Sequence, residues 1–206
     1  MEIIRNFAVL EGGDGSGTTT QLKMLTERLK NNKKLVFFPT FEPTEGKIGL
    51  LLRTALKKEI NLKPETICYL FAADRNEHLY GTDGIIERTN RGELVVSDRY
   101  ALSSLVYQGI ECGDELPGIV NSFFPPPEIT IFLDIKPEIA LERLKNRPSF
   151  EIYEYLDFQK KVHEKYISIL KKSSLRVEII DASKNAQEIA DEVWSIISEM
   201  PIFKAK

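Results

Sequence analysis

The residues with the clearest chemical potential lie at positions 11–20, which read EGGDGSGTTT. They stand between an apolar run at 7–10 and a helical pattern, and their spacing is typical of a phosphate-binding loop. Backbone N–H groups of such a loop converge on an anion, and a helix beginning near Thr18 adds the positive end of its dipole. The glycines that can take the positive φ this requires are Gly12, Gly15 and Gly17. The segment therefore predicts a nucleotide-phosphate site, with a plain glycine-rich turn as the alternative.

One position of this loop departs from the motif, because Thr18 stands where lysine is expected. A cation about 4 Å from a phosphate charge contributes roughly 4 kcal/mol at an effective dielectric constant near 20. A neutral hydroxyl hydrogen bond contributes only about 1 kcal/mol. An uncompensated loss of about 3 kcal/mol would slow phosphoryl transfer by roughly two powers of ten.

A second motif supports the phosphate site. Residues 94–98 read LVVSD, a buried-looking strand that ends in a carboxylate. Asp98 fits the Walker-B aspartate that orders magnesium beside phosphates. Thr19 occupies the loop position whose hydroxyl meets the same ion. We therefore predict a magnesium site made by Thr19 and Asp98.

Composition restricts the class of protein. The chain has 206 residues, 42% of them hydrophobic, and a formal net charge of −3, which does not favour a nucleic-acid surface. No apolar stretch approaches membrane-spanning length and the N-terminus lacks a signal-peptide layout, so no membrane partner is expected. Cys68 and Cys112 are interpreted as ordinary reduced thiols. These features predict a cytoplasmic enzyme of one domain, residues 1–206.

Short apolar runs alternate with amphipathic stretches of helical periodicity, which predicts an α/β fold with a five-stranded parallel sheet flanked by helices. Ligands of such sheets bind beyond the carboxyl ends of the strands. The loops at 11–18, 39–46 and 98–108 should therefore converge on one crevice. The predicted strands are 7–10, 35–38, 94–97, 129–133 and 177–180.

Several segments together resemble the thymidylate kinase family. They are EGGDGSGTTTQL, FEPTEGKIG, YLFAADRNEH, VVSDRYALSSLVYQG, PEITIFLDIKPEIALERLKNR and IIDASKN, in the family's order. The resemblance implies the P-loop NTPase-type fold of nucleoside monophosphate kinases, with a lid segment near 146–156. It further implies transfer of the ATP γ-phosphoryl group to dTMP with magnesium, giving dTDP for dTTP biosynthesis, and a homodimer paired through helices.

The resemblance also assigns the acceptor site. Phe71 would stack on thymine, Arg75 and Arg99 would hold the acceptor phosphate, and Asp14 would face the 3′-hydroxyl. The implied dTMP-binding residues are Asp14, Glu42, Phe71, Arg75, Arg99, Ser103, Ser104, Tyr107 and Gln108. The plainer alternatives are helix core for Phe71, a surface ion pair for Arg75, a structural Asp98–Arg99 pair and helix caps for the serines.

On the donor side the resemblance implies ATP-binding residues Gly12, Gly13, Asp14, Gly15, Ser16, Gly17, Thr18, Thr19, Thr20, Arg143 and Lys184. The implied catalytic residues are Asp14, Arg99 and Arg147. Two further family cations are replaced, since Phe41 and Phe150 fall where bacterial members carry arginine. Candidates to compensate are Arg147, ranked first, Arg143 and Lys23, with solvated surface charge as the alternative for all three.

Three functional hypotheses follow. The favoured one is a working thymidylate kinase with a rearranged set of cations. The second is a nucleotide-binding relative with little catalysis that acts through partners, and the third is a nucleoside monophosphate kinase of other specificity. His78 and His163 are predicted to be helix-surface residues without a role, because phosphoryl transfer between phosphates needs little general-base help.

Overall fold

The computed structural model describes residues 2–144 and 156–204. The strands are β1 (Ile4–Glu11), β2 (Phe37–Phe41), β3 (Leu94–Asp98), β4 (Pro127–Asp134) and β5 (Val177–Asp181). The helices are α1 (Thr18–Leu29), α2 (Lys47–Leu56), α3 (Pro64–Tyr80), α4 (Ile85–Asn90), α5 (Ala101–Cys112), α6 (Glu115–Asn121), α7 (Pro137–Leu144), α8 (Leu156–Leu170) and α9 (Ala186–Ser198), followed by a short 3₁₀ turn, Pro201–Phe203. Within these ranges no helix is both long and apolar enough to cross a bilayer.

The five strands form one parallel sheet in the order β2-β3-β1-β4-β5, which confirms the predicted fold class. In the pairing of β1 with β3, Leu10 lies opposite Asp98. The residues after both strands therefore leave the sheet side by side, at the edge where parallel sheets bind ligands. The phosphate loop and the segment after Asp98 are brought together in this way.

The second strand differs from its prediction. Its apolar run suggested residues 35–38, but the strand is Phe37–Phe41, paired from Phe37 opposite Leu94 to Phe41 opposite Asp98. Val36, inside the predicted range, is largely exposed. Hydrophobicity alone misplaced the strand, because β2 is an edge strand and can contain Pro39. The shift carries Phe41 to the ligand edge of the sheet.

Helices cover the sheet on both faces. On one face α1 and α9 form a common core with β1, β3 and β4, and Leu22, Leu25, Ile189 and Val193 are buried in it. On the other, α5 and α8 pack through Val106, Tyr107, Val162 and Tyr166. These apolar contacts hold the helices whose ends carry the polar site.

Candidate active site

The phosphate loop has the predicted frame. α1 begins at Thr18, and Gly15 and Gly17 have φ of 82° and 101°. Gly12 does not share this conformation, so that its predicted positive φ is wrong. A Cβ at Gly12 would lie 2.4 Å from Ser16 Oγ and 3.0 Å from the Leu133 carbonyl oxygen, so glycine is needed there for close packing. At Gly15 a Cβ would lie 2.6 Å from the carbonyl oxygen of Ala140 in α7.

The predicted metal residues meet across two elements. The hydroxyl of Thr19 donates a hydrogen bond of 2.5 Å to Asp98 Oδ2. The other oxygen, Asp98 Oδ1, is buried and has no hydrogen-bond partner among residues 2–144 and 156–204. Carboxylate and hydroxyl oxygens are ligands that Mg²⁺ prefers, and it takes further ligands from water and phosphates. The donor set and the open carboxylate oxygen therefore fit a magnesium ion.

Asp14 is the centre of a polar cluster that joins the phosphate loop to three other elements. It accepts hydrogen bonds from Arg99 Nη2 at 2.5 Å, Tyr107 Oη at 3.1 Å and Gln159 Nε2 at 2.9 Å. Gln159 also accepts from the Asp14 backbone N–H at 3.2 Å. The sequence analysis missed Gln159, because its position in α8 carries no motif. Asp14 is thus held by residues that come from β3–α5, α5 and α8.

A second polar cluster surrounds Glu42 and Arg75. Arg75 Nη2 donates to Glu42 at 2.6 Å and to Ser104 at 3.0 Å, and Nη1 donates to Asn121. Both charged side chains are almost fully buried, so the surface ion pair considered for Arg75 is wrong. Its Nε–H group is buried without a partner in the described part of the chain. A polar ligand could satisfy that group.

The histidine at position 78 belongs to this cluster. Its ring is hydrogen-bonded to Glu42 Oε1 at 3.1 Å and to Thr40 Oγ1 at 2.6 Å, and only 8% of the side chain is exposed. The prediction of a surface histidine is therefore wrong for His78. Burial by itself raises the pKa of Glu42, but the charge of Arg75 and the hydrogen bond from His78 outweigh it and hold this pKa below its ordinary value.

One cavity of about 620 Å³ unites most of the predicted residues. Its wall includes seven phosphate-loop and α1 residues: Gly13, Asp14, Gly15, Gly17, Thr18, Thr19 and Thr20. It also includes Asp98 and eight predicted dTMP-site residues besides Asp14: Glu42, Phe71, Arg75, Arg99, Ser103, Ser104, Tyr107 and Gln108. Gly12 and Ser16 are buried and do not line the cavity. Gln108 Oε1 is buried and, within the described ranges, is not hydrogen-bonded.

Two cations reach the cavity that the prediction either missed or ranked low. Arg53, in α2, lies with its guanidinium carbon 5.3 Å from the ring centre of Phe41 and donates to the carbonyl oxygens of Pro43 and Thr44. Its charge therefore lies close to Phe41, the position at which the resemblance to bacterial family members implies an arginine. Lys23, one helical turn after Thr19, is exposed at the cavity wall.

The remaining donor-side residues lie elsewhere. Arg143 Nη2 is 3.3 Å from the carbonyl oxygen of Lys184, so that these two predicted ATP-site residues are neighbours outside the cavity wall. The Lys184 ammonium pairs with Glu192. His163 hydrogen-bonds Asp134 at 2.7 Å. Arg147, Phe150 and the lid segment predicted near 146–156 lie outside the described residues, except for residue 156, which begins α8.

Comparison with known proteins identifies the family of the chain. The family model described as thymidylate kinase matches residues 10–193. A putative thymidylate kinase from Treponema pallidum is 39% identical over 205 residues, covering 97% of this chain and 98% of the relative. A probable thymidylate kinase from Pyrobaculum aerophilum is 37% identical, covering 96% and 99%. A thymidylate kinase from Ligilactobacillus salivarius is 33% identical, covering 93% and 97%. With nearly its whole length matched in each comparison, the chain belongs to the thymidylate kinase family.

Proposed function

We propose that this protein transfers the γ-phosphoryl group of ATP to the 5′-phosphate of dTMP, giving dTDP for dTTP biosynthesis. The observation that carries the proposal is the composition of one cavity, whose wall holds a phosphate loop with Thr19 and Asp98 as well as Arg75 and Arg99. Donor and acceptor phosphates can therefore meet within it. Its volume lies in the range of small-molecule sites, roughly 300 to 1,000 Å³.

The acceptor wall supports a pyrimidine monophosphate. The ring of Phe71 is half-buried and offers a flat apolar face, and the open Gln108 Oε1 can accept a hydrogen bond from a base N–H. The unpartnered Nε–H of Arg75 is a free donor for a phosphate oxygen. We assign thymine to Phe71 and Gln108, and its phosphate to Arg75 and Arg99.

The donor wall supports ATP. Loop amides and the α1 N-terminus favour the phosphates, while Arg143 and Lys184 border the proposed adenine side. Magnesium, when bound by Thr19 and Asp98, would neutralise charge on the phosphate oxygens. The protein's own part is to position the two nucleotides and to place fixed charge around the transferring group. Since Thr18 is neutral, we infer that the cavity cations Arg53, Arg75, Arg99 and Lys23 supply that charge together with Arg147.

A turnover assay with ATP, magnesium and a panel of nucleoside monophosphates tests the function. We expect dTMP to be phosphorylated in preference to dUMP, CMP, AMP and GMP. Preference for another monophosphate would support a kinase of other specificity. Turnover of none of them, together with calorimetric binding of ATP and dTMP, would support the non-catalytic relative instead.

We also propose a homodimer in the cytoplasm. Large apolar side chains are exposed on the packed pair α2 and α3, namely Leu50, Leu51 and Tyr69, and a second copy of the chain could cover them. The free thiols Cys68 and Cys112 suit a reducing compartment. Sedimentation equilibrium at micromolar concentration should give a dimer, and a monomer across the concentration range would contradict the assembly.

A further inference from the structure

A buried carboxylate that the proposed mechanism does not use lies directly before the phosphate loop. Glu11, the last residue of β1, has 0% of its surface exposed. It accepts four hydrogen bonds, from the Tyr100 N–H at 3.0 Å, the Ser103 N–H at 3.2 Å, the Ser103 hydroxyl at 2.6 Å and the Tyr166 hydroxyl at 2.9 Å. These donors belong to the start of α5 and to α8. One side chain therefore ties the central strand to two helices that border the cavity.

The two oxygens of Glu11 have different partners, since Oε1 accepts from two backbone N–H groups and Oε2 lies against the hydroxyls of Ser103 and Tyr166. Burial raises the pKa of Glu11 above its ordinary value, although the Ser103 hydrogen bond, the charge of Arg99 and the Tyr166 hydrogen bond act in the opposite direction. A carboxylate can accept all four bonds, whereas a carboxylic acid can keep the two N–H bonds and donate its own proton to one of the hydroxyls. In either protonation state the two N–H bonds tie Glu11 to the start of α5.

Arg99 directly precedes Tyr100, whose N–H donates to Glu11. The φ of Arg99 is 73°, a left-handed conformation that a residue with a side chain seldom adopts. Its own N–H donates to the Leu10 carbonyl oxygen at 2.9 Å, and the next N–H, of Tyr100, donates to Glu11. The end of β1 therefore holds the backbone on both sides of the strained residue.

Two side-chain hydrogen bonds also connect Arg99 to Glu11 through Ser103. Arg99 Nη1 donates to Ser103 Oγ at 3.2 Å, and the Ser103 hydroxyl in turn donates to Glu11. The guanidinium is left aimed at the Gly12 carbonyl oxygen, 3.0 Å away, and at Asp14. Backbone and side chain of Arg99 are thus both fixed through Glu11.

We propose that Glu11 is a positioning residue for the reaction, acting through Arg99. It keeps the strained Arg99 backbone and the Ser103 hydroxyl in place. The Arg99 guanidinium is thereby held beside the phosphate loop, where it can bind the acceptor phosphate. The inference rests on the proposed function, which assigns Arg99 to that phosphate. Glu11 itself is fully buried and does not line the cavity.

The variant Glu11→Gln tests this, because it keeps the size of the side chain and puts an amide N–H group in place of one oxygen. The hydrogen bonds that the Ser103 and Tyr166 hydroxyls donate to Glu11 are then altered, so we expect kcat/KM for dTMP to fall about tenfold to a hundredfold. KM for ATP should stay unchanged. In an Arg99→Met background the same substitution should have no further effect on kcat/KM, since the group through which Glu11 acts is gone.

The matched control is Glu128→Gln. Glu128 is also a buried carboxylate that accepts a hydrogen bond from a backbone amide, that of Asn6 at 2.7 Å, but it lies near the opposite end of the sheet. Its loss should lower the melting temperature without changing kcat/KM for dTMP. Equal losses of kcat/KM in both variants would overturn the proposal, as would additive effects of Glu11→Gln and Arg99→Met, or wild-type kinetics in Glu11→Gln.

A second variant, Tyr166→Phe, and a binding measurement complete the test of Glu11. If Glu11→Gln does not fold, Tyr166→Phe removes one donor from Glu11 and should give a smaller loss with the same dependence on Arg99. Calorimetric titration with dTMP repeats the comparison through the dissociation constant, without turnover. An inactive wild-type protein would therefore contradict the proposed function, whereas equal dTMP affinity in all variants would contradict the role of Glu11.

Discussion

Thr19 and Asp98 join the first turn of α1 to the carboxyl end of β3 through one hydrogen bond of 2.5 Å. The bond occupies one oxygen of Asp98 and leaves the buried second oxygen open within the described structure. Because β1 and β3 are neighbours, this pair stands directly beside the phosphate loop. A hard divalent cation placed there would contact the donor phosphates at the same time.

The first prediction concerns this pair. Asp98→Asn keeps the shape and one acceptor oxygen but removes the charge, and we expect kcat to fall at least about a hundredfold. The activity that remains should need a higher magnesium concentration, which a magnesium titration of initial rates would measure. Asp134→Asn, at the end of β4, is the control and should leave the titration unchanged. An unaltered magnesium dependence in Asp98→Asn would argue against this metal site.

The second prediction concerns the neutral residue of the phosphate loop. Thr18→Lys adds a cation at the neutral loop position, so kcat should rise, but by less than the roughly hundredfold of an uncompensated loss, because we infer that other cations supply part of the charge. Thr18→Met supplies similar length without charge and should not raise kcat. Steady-state kinetics of the two variants separate charge from bulk. No gain, or a loss, in Thr18→Lys would indicate that another cation already occupies that space.

The third prediction is a pH dependence of stability. The pKa of Glu42 is held below its ordinary value of 4.5 by Arg75 and His78 despite burial. The contribution of ionised Glu42 to the free energy of unfolding is therefore complete above about pH 5 and is lost as the pH falls through the lowered pKa. Glu42→Gln should cost about 3 kcal/mol of unfolding free energy at pH 7, because Arg75 loses its buried partner.

Urea denaturation at several pH values measures this difference. The gap between wild type and Glu42→Gln should narrow as the pH falls below 4.5. Asp191→Ala removes the exposed partner of Arg28 and should change the midpoint little at any pH. A gap that stays constant from pH 7 to strongly acidic pH would show that the charge of Glu42 is not what stabilises the pair.

The fourth prediction concerns base stacking. Phe71→Ala should raise KM for dTMP about tenfold, because an aromatic contact and its buried area are lost, and should leave KM for ATP unchanged. Tyr80→Ala, on an exposed position of the same helix, is the control. If Phe71 were only helix core, the melting temperature would fall while KM for dTMP stayed at its wild-type value.

The sequence predicted what depends on local patterns. The parallel sheet, the start of α1 at Thr18 and the approach of Asp98 to Thr19 were all correct, because strand ends and glycine spacing determine them. Strand β2 was misplaced because an edge strand need not follow its apolar run. His78 was misjudged since its polar partners Thr40 and Glu42 lie more than 30 positions away in the chain.

Glu11 and Gln159 escaped prediction for the same physical reason. The partners of Glu11 are 89, 92 and 155 positions away, and Asp14, a partner of Gln159, is 145 positions away. A single acid before a glycine loop, or a single amide in a helix, has no periodicity that reveals such contacts. Only the packing of α5 and α8 against β1 brings them together.

The close approach of Gly15 to α7 restricts which residues can occupy position 15. Any side chain at position 15 would collide with the Ala140 carbonyl oxygen, and the backbone conformation there already disfavours every residue except glycine. A positive charge therefore cannot be introduced by mutation at position 15. A search for activating variants can leave this position out and begin with Thr18.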